Sequence, residues 1–238
     1  MKGTAAICLM LSSGVLANGS DPEERFYPPT LSCFESGKQP LPREVLRTPV
    51  LVSPDGRLGT YAEIESSFDE NASPPCRTNA RLLVSSGKLP FETAFVEKTS
   101  KEDDAAVSLG PIAWSRNSRW LVVERAAGYY ASDFGAVDFV LYDSNTKKST
   151  TPDVLGAIAK KMGKHCVLTY RSFGGFDGRN RLILRIADWQ NADERQTTCI
   201  EGTAEWLFDP VTAEVQPSSG RPRFRANRLL ARAAQSGY

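Results

Sequence analysis

The sequence predicts an all-β fold of antiparallel sheets with one short helix. Three observations predict it: a Ser-centred hairpin turn that recurs at a fixed interval, an apolar strand ending in Asp that also recurs, and a globular composition. Apolar residues make up 41% of the 238 positions and charged ones 24%, which supplies a core and excludes a disordered chain. The formal charge of +1 gives no overall field that would draw the protein to nucleic acid or an anionic membrane.

In chain order, residues 1–17 read as an export signal. Lys2 supplies a positive start, Ala5 to Leu16 form an apolar stretch too short to span a bilayer, and Val15 and Ala17 put small residues where a signal peptidase needs them. Cys8 lies inside this stretch, which argues against a lipid-modified cysteine. Cleavage after Ala17 removes Lys2 and leaves 28 basic against 28 acidic residues. No later segment is apolar enough to cross a bilayer, so a periplasmic or secreted protein without a transmembrane segment is expected.

The β domain is expected over 18–216. Its first hairpin is centred on Ser53-Pro54-Asp55-Gly56-Arg57, between Val50-Leu51-Val52 and Leu58 to Tyr61. Ser53 and Pro54 suit the first two positions of a type I turn, and Gly56 can take the left-handed conformation that returns the chain to an antiparallel strand. Arg81 to Lys88 is a weaker strand and turn. A second hairpin spans Ile112 to Val123, with Ser115 and Arg119 each 62 positions after Ser53 and Arg57. Here Asn117 tolerates the turn and Trp120 to Val123 is strongly strand-like. Phe139 to Lys147 then gives an apolar strand ending at Asp143, a tight turn and a polar outgoing strand.

One helix interrupts the pattern. Thr151 is placed to cap it, Pro152 suits its first position, Leu155, Ile158 and Met162 recur at helical spacing, and Lys160, Lys161 and Gly163 mark its end. Its expected role is to cover a sheet edge or a core opening. A third hairpin is read at Phe176-Asp177-Gly178-Arg179, with Asp177 placed 60 positions after Asn117 and Leu182 to Ile186 as its outgoing strand. Glu205 to Glu214 repeats the Asp143 segment, with Asp209 and Thr212 placed 66 positions after Asp143 and Thr146. Residues 217–238 form a basic tail in which Arg221, Arg223, Arg225, Arg228 and Arg232 meet no acid; a docked or frayed C-terminal helix is the expected form, and binding to an anionic surface the alternative.

These hairpins resemble the TolB-type, WD40-like β-propeller repeats, which carry a similar Ser-Pro-Asp-Gly-Arg turn. The resemblance rests on 50–61 and 112–123, with support from 139–147 and 205–214, under a third of the chain. It implies antiparallel, propeller-like blades. About three units are present where a propeller needs four to eight, so a distorted or incomplete propeller, a β-sandwich, or association into a homo-oligomer all remain open. Exported peptidases of the prolyl oligopeptidase type carry similar repeats, but their hydrolase domain is not expected within these 238 residues.

Outside the signal, Cys33, Cys76, Cys166 and Cys199 make an even set in an oxidising compartment. Four cysteines allow three pairings, and the proximity of each pair along the chain favours Cys33–Cys76 and Cys166–Cys199. No C-x-x-C occurs and His165 is the only histidine, so no metal or cofactor is expected. Cys166 follows His165 directly and would point to the opposite strand face, which is poor geometry for a Cys–His pair. No G-x-S-x-G elbow, phosphate loop or dinucleotide fingerprint is present. Asp69, Glu70, Glu124, Asp133 and Asp138 are candidate carboxylates for glycoside or peptide hydrolysis, but nothing in the sequence selects two of them. Asp143 and Asp209 read as turn residues. Trp114, Trp120, Trp189 and Trp206 read as core, and Tyr129-Tyr130 as an exposed contact pair beside a loop.

The functional expectation is an exported non-enzymatic binding or scaffold protein with a protein or envelope partner. An exported hydrolase using acidic residues is the alternative.

Overall fold

The computed structural model describes residues 42–71, 75–87, 89–98, 105–129, 135–163, 166–188 and 199–218. The signal segment, the basic tail, Cys33, Tyr130, Asp133, His165 and Trp189 lie outside the described residues.

Among the described residues the strands form three antiparallel sheets, the second and third each a meander in chain order. In the first, β1 (Arg43–Arg47) and β2 (Leu51–Val52) both pair with β3 (Leu58–Phe68), followed by β4 (Cys76–Ser86) and β5 (Glu92–Lys98). The second runs β6 (Ala105–Trp114), β7 (Trp120–Tyr129), β8 (Gly135–Asp143) and β9 (Lys148–Thr150). The third runs β10 (Leu168–Phe176), β11 (Leu182–Asp188), β12 (Ala204–Phe208) and β13 (Val215–Pro217). The recurring hairpins join β2 to β3, β6 to β7 and β10 to β11.

The second sheet lies between the other two. Leu121, Val123, Val140 and Tyr142 pack with Ile64, Leu82 and Leu109 in one core. Their neighbours Val122, Phe139 and Leu141 pack with Leu168, Leu184, Trp206 and Phe208 in another. Successive side chains on a strand point to opposite faces, so a sheet covered on both sides needs apolar residues at every position. That is why Trp120 to Val123 and Phe139 to Tyr142 read as unbroken apolar runs. Among the described residues the first sheet has one covered face, and its other face is mostly polar: Arg43 bonds Glu65 at 2.8 Å, and Glu63 is held between Arg47 and Arg81.

Phe139 anchors the second core, with its ring 5.6 Å from Tyr170, 5.3 Å from Phe173 and 6.3 Å from Phe208, all edge-on. Such pairs each add about 1 kcal/mol beyond the area they bury. Two bulges in β10, at Tyr170/Ser172 and Phe173/Gly175, keep its aromatic residues on the core side.

The helix α1 (Val154–Met162) packs against β13 and β10, with Val154 and Ile158 buried in the second core. It therefore covers a core opening, as its sequence suggests. Its cap differs from expectation: Asp153, not Thr151, accepts the Gly156 N–H at 2.9 Å. The helix begins at Val154, so Asp153 is the residue whose carboxylate reaches the third helical N–H. Gly163 ends it in the left-handed region, at φ 68°. Lys161 donates to the Val215 carbonyl at 2.7 Å and fixes α1 to β13.

Cys166 and Cys199 form a disulfide, with Cα atoms 5.9 Å apart. Cys76 is also disulfide-bonded; Cys33, the partner expected for it, lies outside the described residues. The stack of three sheets is compatible with an incomplete propeller and with a layered sandwich. No described helix is long and apolar enough to cross a membrane.

Candidate functional site in a row of linked turns

The three recurring hairpins close in one way. Ser53 N–H donates to the Leu58 carbonyl at 2.8 Å, Ser115 N–H to Trp120 at 2.7 Å, and Asp177 N–H to Arg181 at 2.9 Å. Asp177 is thus level with Ser115, 62 residues on, and not with Asn117 as the sequence reading placed it. The third turn closes one residue sooner, which hid the register. The fourth residue of each turn is left-handed: Gly56 at φ 72°, Ser118 at 57° and Asn180 at 61°. Gly56 takes this role as expected, whereas Ser118 and Asn180 were missed. Their interval of 62, shared by Arg57, Arg119 and Arg181, was the available signal.

Side chains lock each turn from within. Ser53 Oγ donates to Asp55 at 2.7 Å and accepts the Leu58 N–H at 2.9 Å. Ser115 Oγ does the same with Asn117 at 2.7 Å and Trp120 N–H at 2.8 Å. In the third turn the Asp177 carboxylate alone accepts from Arg179 N–H and Arg181 N–H, at 2.8 and 2.9 Å. Ser115 is fully buried, so its removal strands the Trp120 N–H. Ser115→Ala is expected to cost about 1–2 kcal/mol in urea denaturation. A loss no larger than that of an exposed serine would contradict this role.

The turns are also bonded to one another. Asp55 N–H donates to Ser118 Oγ at 3.1 Å, and Asn117 N–H to Asn180 Oδ1 at 3.4 Å, the same step of 63 residues each time. A left-handed serine costs about 1 kcal/mol, and here it delivers the hydroxyl that joins the first turn to the second. The result is a fixed row of three turns across one end of the stack.

The row is rich in arginine. Arg57 pairs with Asp55 at 2.7 Å and Arg181 with Asp177 at 2.8 Å. Arg119 grips Asp143 through two bonds of 3.1 and 3.0 Å, with its guanidinium 4.6 Å from the Trp120 ring. The Ser53 hydroxyl, then the Arg57 backbone and guanidinium, hold the Asp55 carboxyl well below its usual range. Arg116 and Arg179 are exposed, and no acid among the described residues pairs with them.

The remaining candidates lie elsewhere. Asp69 and Glu70 are exposed after β3, and Asp69 accepts the Asn71 N–H at 3.0 Å. Glu124 and Asp138 sit on adjacent strands but point to opposite faces of the second sheet. Asp138 is opposite Arg125, which also bonds Glu97 of the first sheet at 3.1 Å. Glu124 is opposite Phe139, whose ring lies in the other core. These two carboxylates therefore do not converge. Burial raises both, Glu124 to about 8. Asp143 and Asp209 are turn residues, accepting the N–H groups of Asn145 at 3.0 Å and Val211 at 2.8 Å. Trp114, Trp120 and Trp206 are buried, as expected. Tyr129 ends β7, at the opposite end of that strand from the turn row. A shallow open depression lined by Arg43, Val45, Arg47, Glu63 and Arg81 lies on the outer face of the first sheet. There the Arg47 and Arg81 guanidinium groups lower the Glu63 carboxyl.

Fold and site together define a β protein of stacked antiparallel sheets, of five, four and four strands, whose turns are bonded in series. No family model, curated protein or solved structure matches the chain.

Proposed function

We propose that the protein is an exported, non-enzymatic binding or scaffold module of the TolB-like repeat type, and that the turn row is the face it offers a partner. The observation that carries this reading is the pair of turn-to-turn hydrogen bonds, Asp55 to Ser118 and Asn117 to Asn180. Exposed loops normally pay ordering entropy when they bind, and turns already fixed to each other avoid most of it. Export is supported by the expected signal and by the Cys166–Cys199 disulfide, since such bonds persist in oxidising compartments.

The test is site-specific photo-crosslinking in the envelope of the producing cell. A crosslinking residue at Arg57 is expected to trap one discrete adduct, and one at Val96, exposed on β5, none. Adducts from Val96 and none from Arg57 would overturn the assignment of the face. The hydrolase reading requires two acids in one cleft, and Glu124 and Asp138 diverge.

A further inference from the structure

Positive charge is unevenly spread along the turn row. In the first turn Arg57 and Asp55 cancel, and in the second and third Arg119 and Arg181 are spent on Asp143 and Asp177. What is left is one exposed guanidinium on each of two neighbouring turns, Arg116 and Arg179. Both turns are fixed from within and to each other by the Asn117–Asn180 bond. The spacing of the two backbone positions that carry these charges is therefore a property of the fold.

We propose that this pair binds an extended acidic peptide segment with carboxylates three residues apart, one on Arg116 and one on Arg179. The inference rests on the turn row being the binding face. Sheets packed face to face lie about 10 Å apart. A polyproline II segment rises about 3.1 Å per residue and brings every third side chain to the same side, so acids at i and i+3 lie about 9 Å apart. Each guanidinium presents a planar fork that takes a carboxylate through two parallel bonds. A membrane surface fits less well. Recognition of anionic lipid uses a cluster of about four to eight basic groups, whereas the row leaves two and has no large apolar side chain to insert.

The probe is a fluorescent peptide with a Glu-Pro-Pro-Glu core, titrated by anisotropy into the full mature chain, with a Gln-Pro-Pro-Gln peptide and anionic phosphatidylglycerol vesicles alongside. Wild type is expected to bind the acidic peptide, more weakly as salt rises, and to leave the Gln peptide and the vesicles unbound. R116Q/R179Q is expected to weaken binding about tenfold or more, each single variant to fall between, and K98Q, exposed at the end of β5 away from the turns, to change nothing. Near-UV circular dichroism checks that the variants keep the fold. No binding by wild type, equal binding by the double variant, or preferential binding to vesicles overturns the inference. If crosslinking from Arg57 still traps an adduct in any of these cases, the binding face stands and only the acidic ligand is wrong.

Discussion

Removing the Cys166–Cys199 bridge is expected to destabilise the protein by about 3–4 kcal/mol. The disulfide closes a loop of 33 residues, and the chain-entropy relation gives that magnitude at 25 °C. The bond ties the lead-in of β10 to the lead-in of β12, and so spans the third sheet at the end away from its turn. The Cys199 and Ile200 N–H groups also donate to Asp188, at 2.6 and 3.2 Å, which orders this corner independently. That support decides between full unfolding and a weakened but native state: the double variant is expected to fold. The measurement is urea denaturation of Cys166→Ala/Cys199→Ala against wild type without reductant. Adding reductant to wild type is a poorer test, because Cys76 is bridged as well. A loss under about 1 kcal/mol would show that the bridge adds little to a corner the Asp188 bonds already hold.

Glu124→Gln is expected to stabilise the protein, and to do so only above mildly acidic pH. Glu124 is 7% exposed on the middle sheet, and burial alone raises its carboxyl to about 8 from an ordinary 4.5. Below about pH 4.5 the carboxyl is protonated in folded and unfolded chains alike, so burial carries no ionic penalty. As pH rises from there the unfolded chain releases its proton while the folded chain keeps it. Stability therefore falls steadily until the folded carboxyl ionises near 8, and then levels off. The full span corresponds to at most about 5 kcal/mol at 1.36 kcal/mol per unit, and relaxation around the charge leaves about 2–3 kcal/mol as the expected gain. Glutamine has the shape of the protonated acid and no proton to lose. The two proteins should match at pH 4.5 and differ by that amount at pH 8.5. A difference independent of pH would mean that Glu124 is ionised in the folded state.

Much of the fold was legible because strand and turn chemistry are local. Ser53, Pro54 and Gly56 specify a hairpin without help from the rest of the chain, and so do Asp143 and Asp209 with their following polar strands. The third hairpin was harder to align because Asp177 takes over the work of two residues. It plays the part of Ser53 and of Asp55 at once, which shortens the turn by one residue and breaks the letter match. The role of Ser118 was not legible, because serine has no left-handed preference to announce it. The turn requires a left-handed residue there, as at Gly56 and Asn180, and the bond Ser118 accepts from a turn 63 residues away offsets the cost of placing a serine in it. The divergence of Glu124 and Asp138 follows from cross-strand register, which the sequence of one strand does not contain. Helix capping moved from Thr151 to Asp153 for a similar reason, since the start of α1 is set by how Val154 enters the core.

The bonds between turns run in one direction and have two different ends. Each N–H passed forward from one turn meets a side-chain oxygen on the next. At the leading end Gly56 has no side chain, so it has no oxygen to offer an earlier unit. At the trailing end the Arg179 N–H, which stands where Asp55 and Asn117 pass theirs on, is taken up by Asp177 of its own turn. Among the described residues the series of turn-to-turn bonds therefore has two ends. At residue 56 no side-chain oxygen is present to accept this bond, and at residue 179 the N–H that would donate it is already held by Asp177.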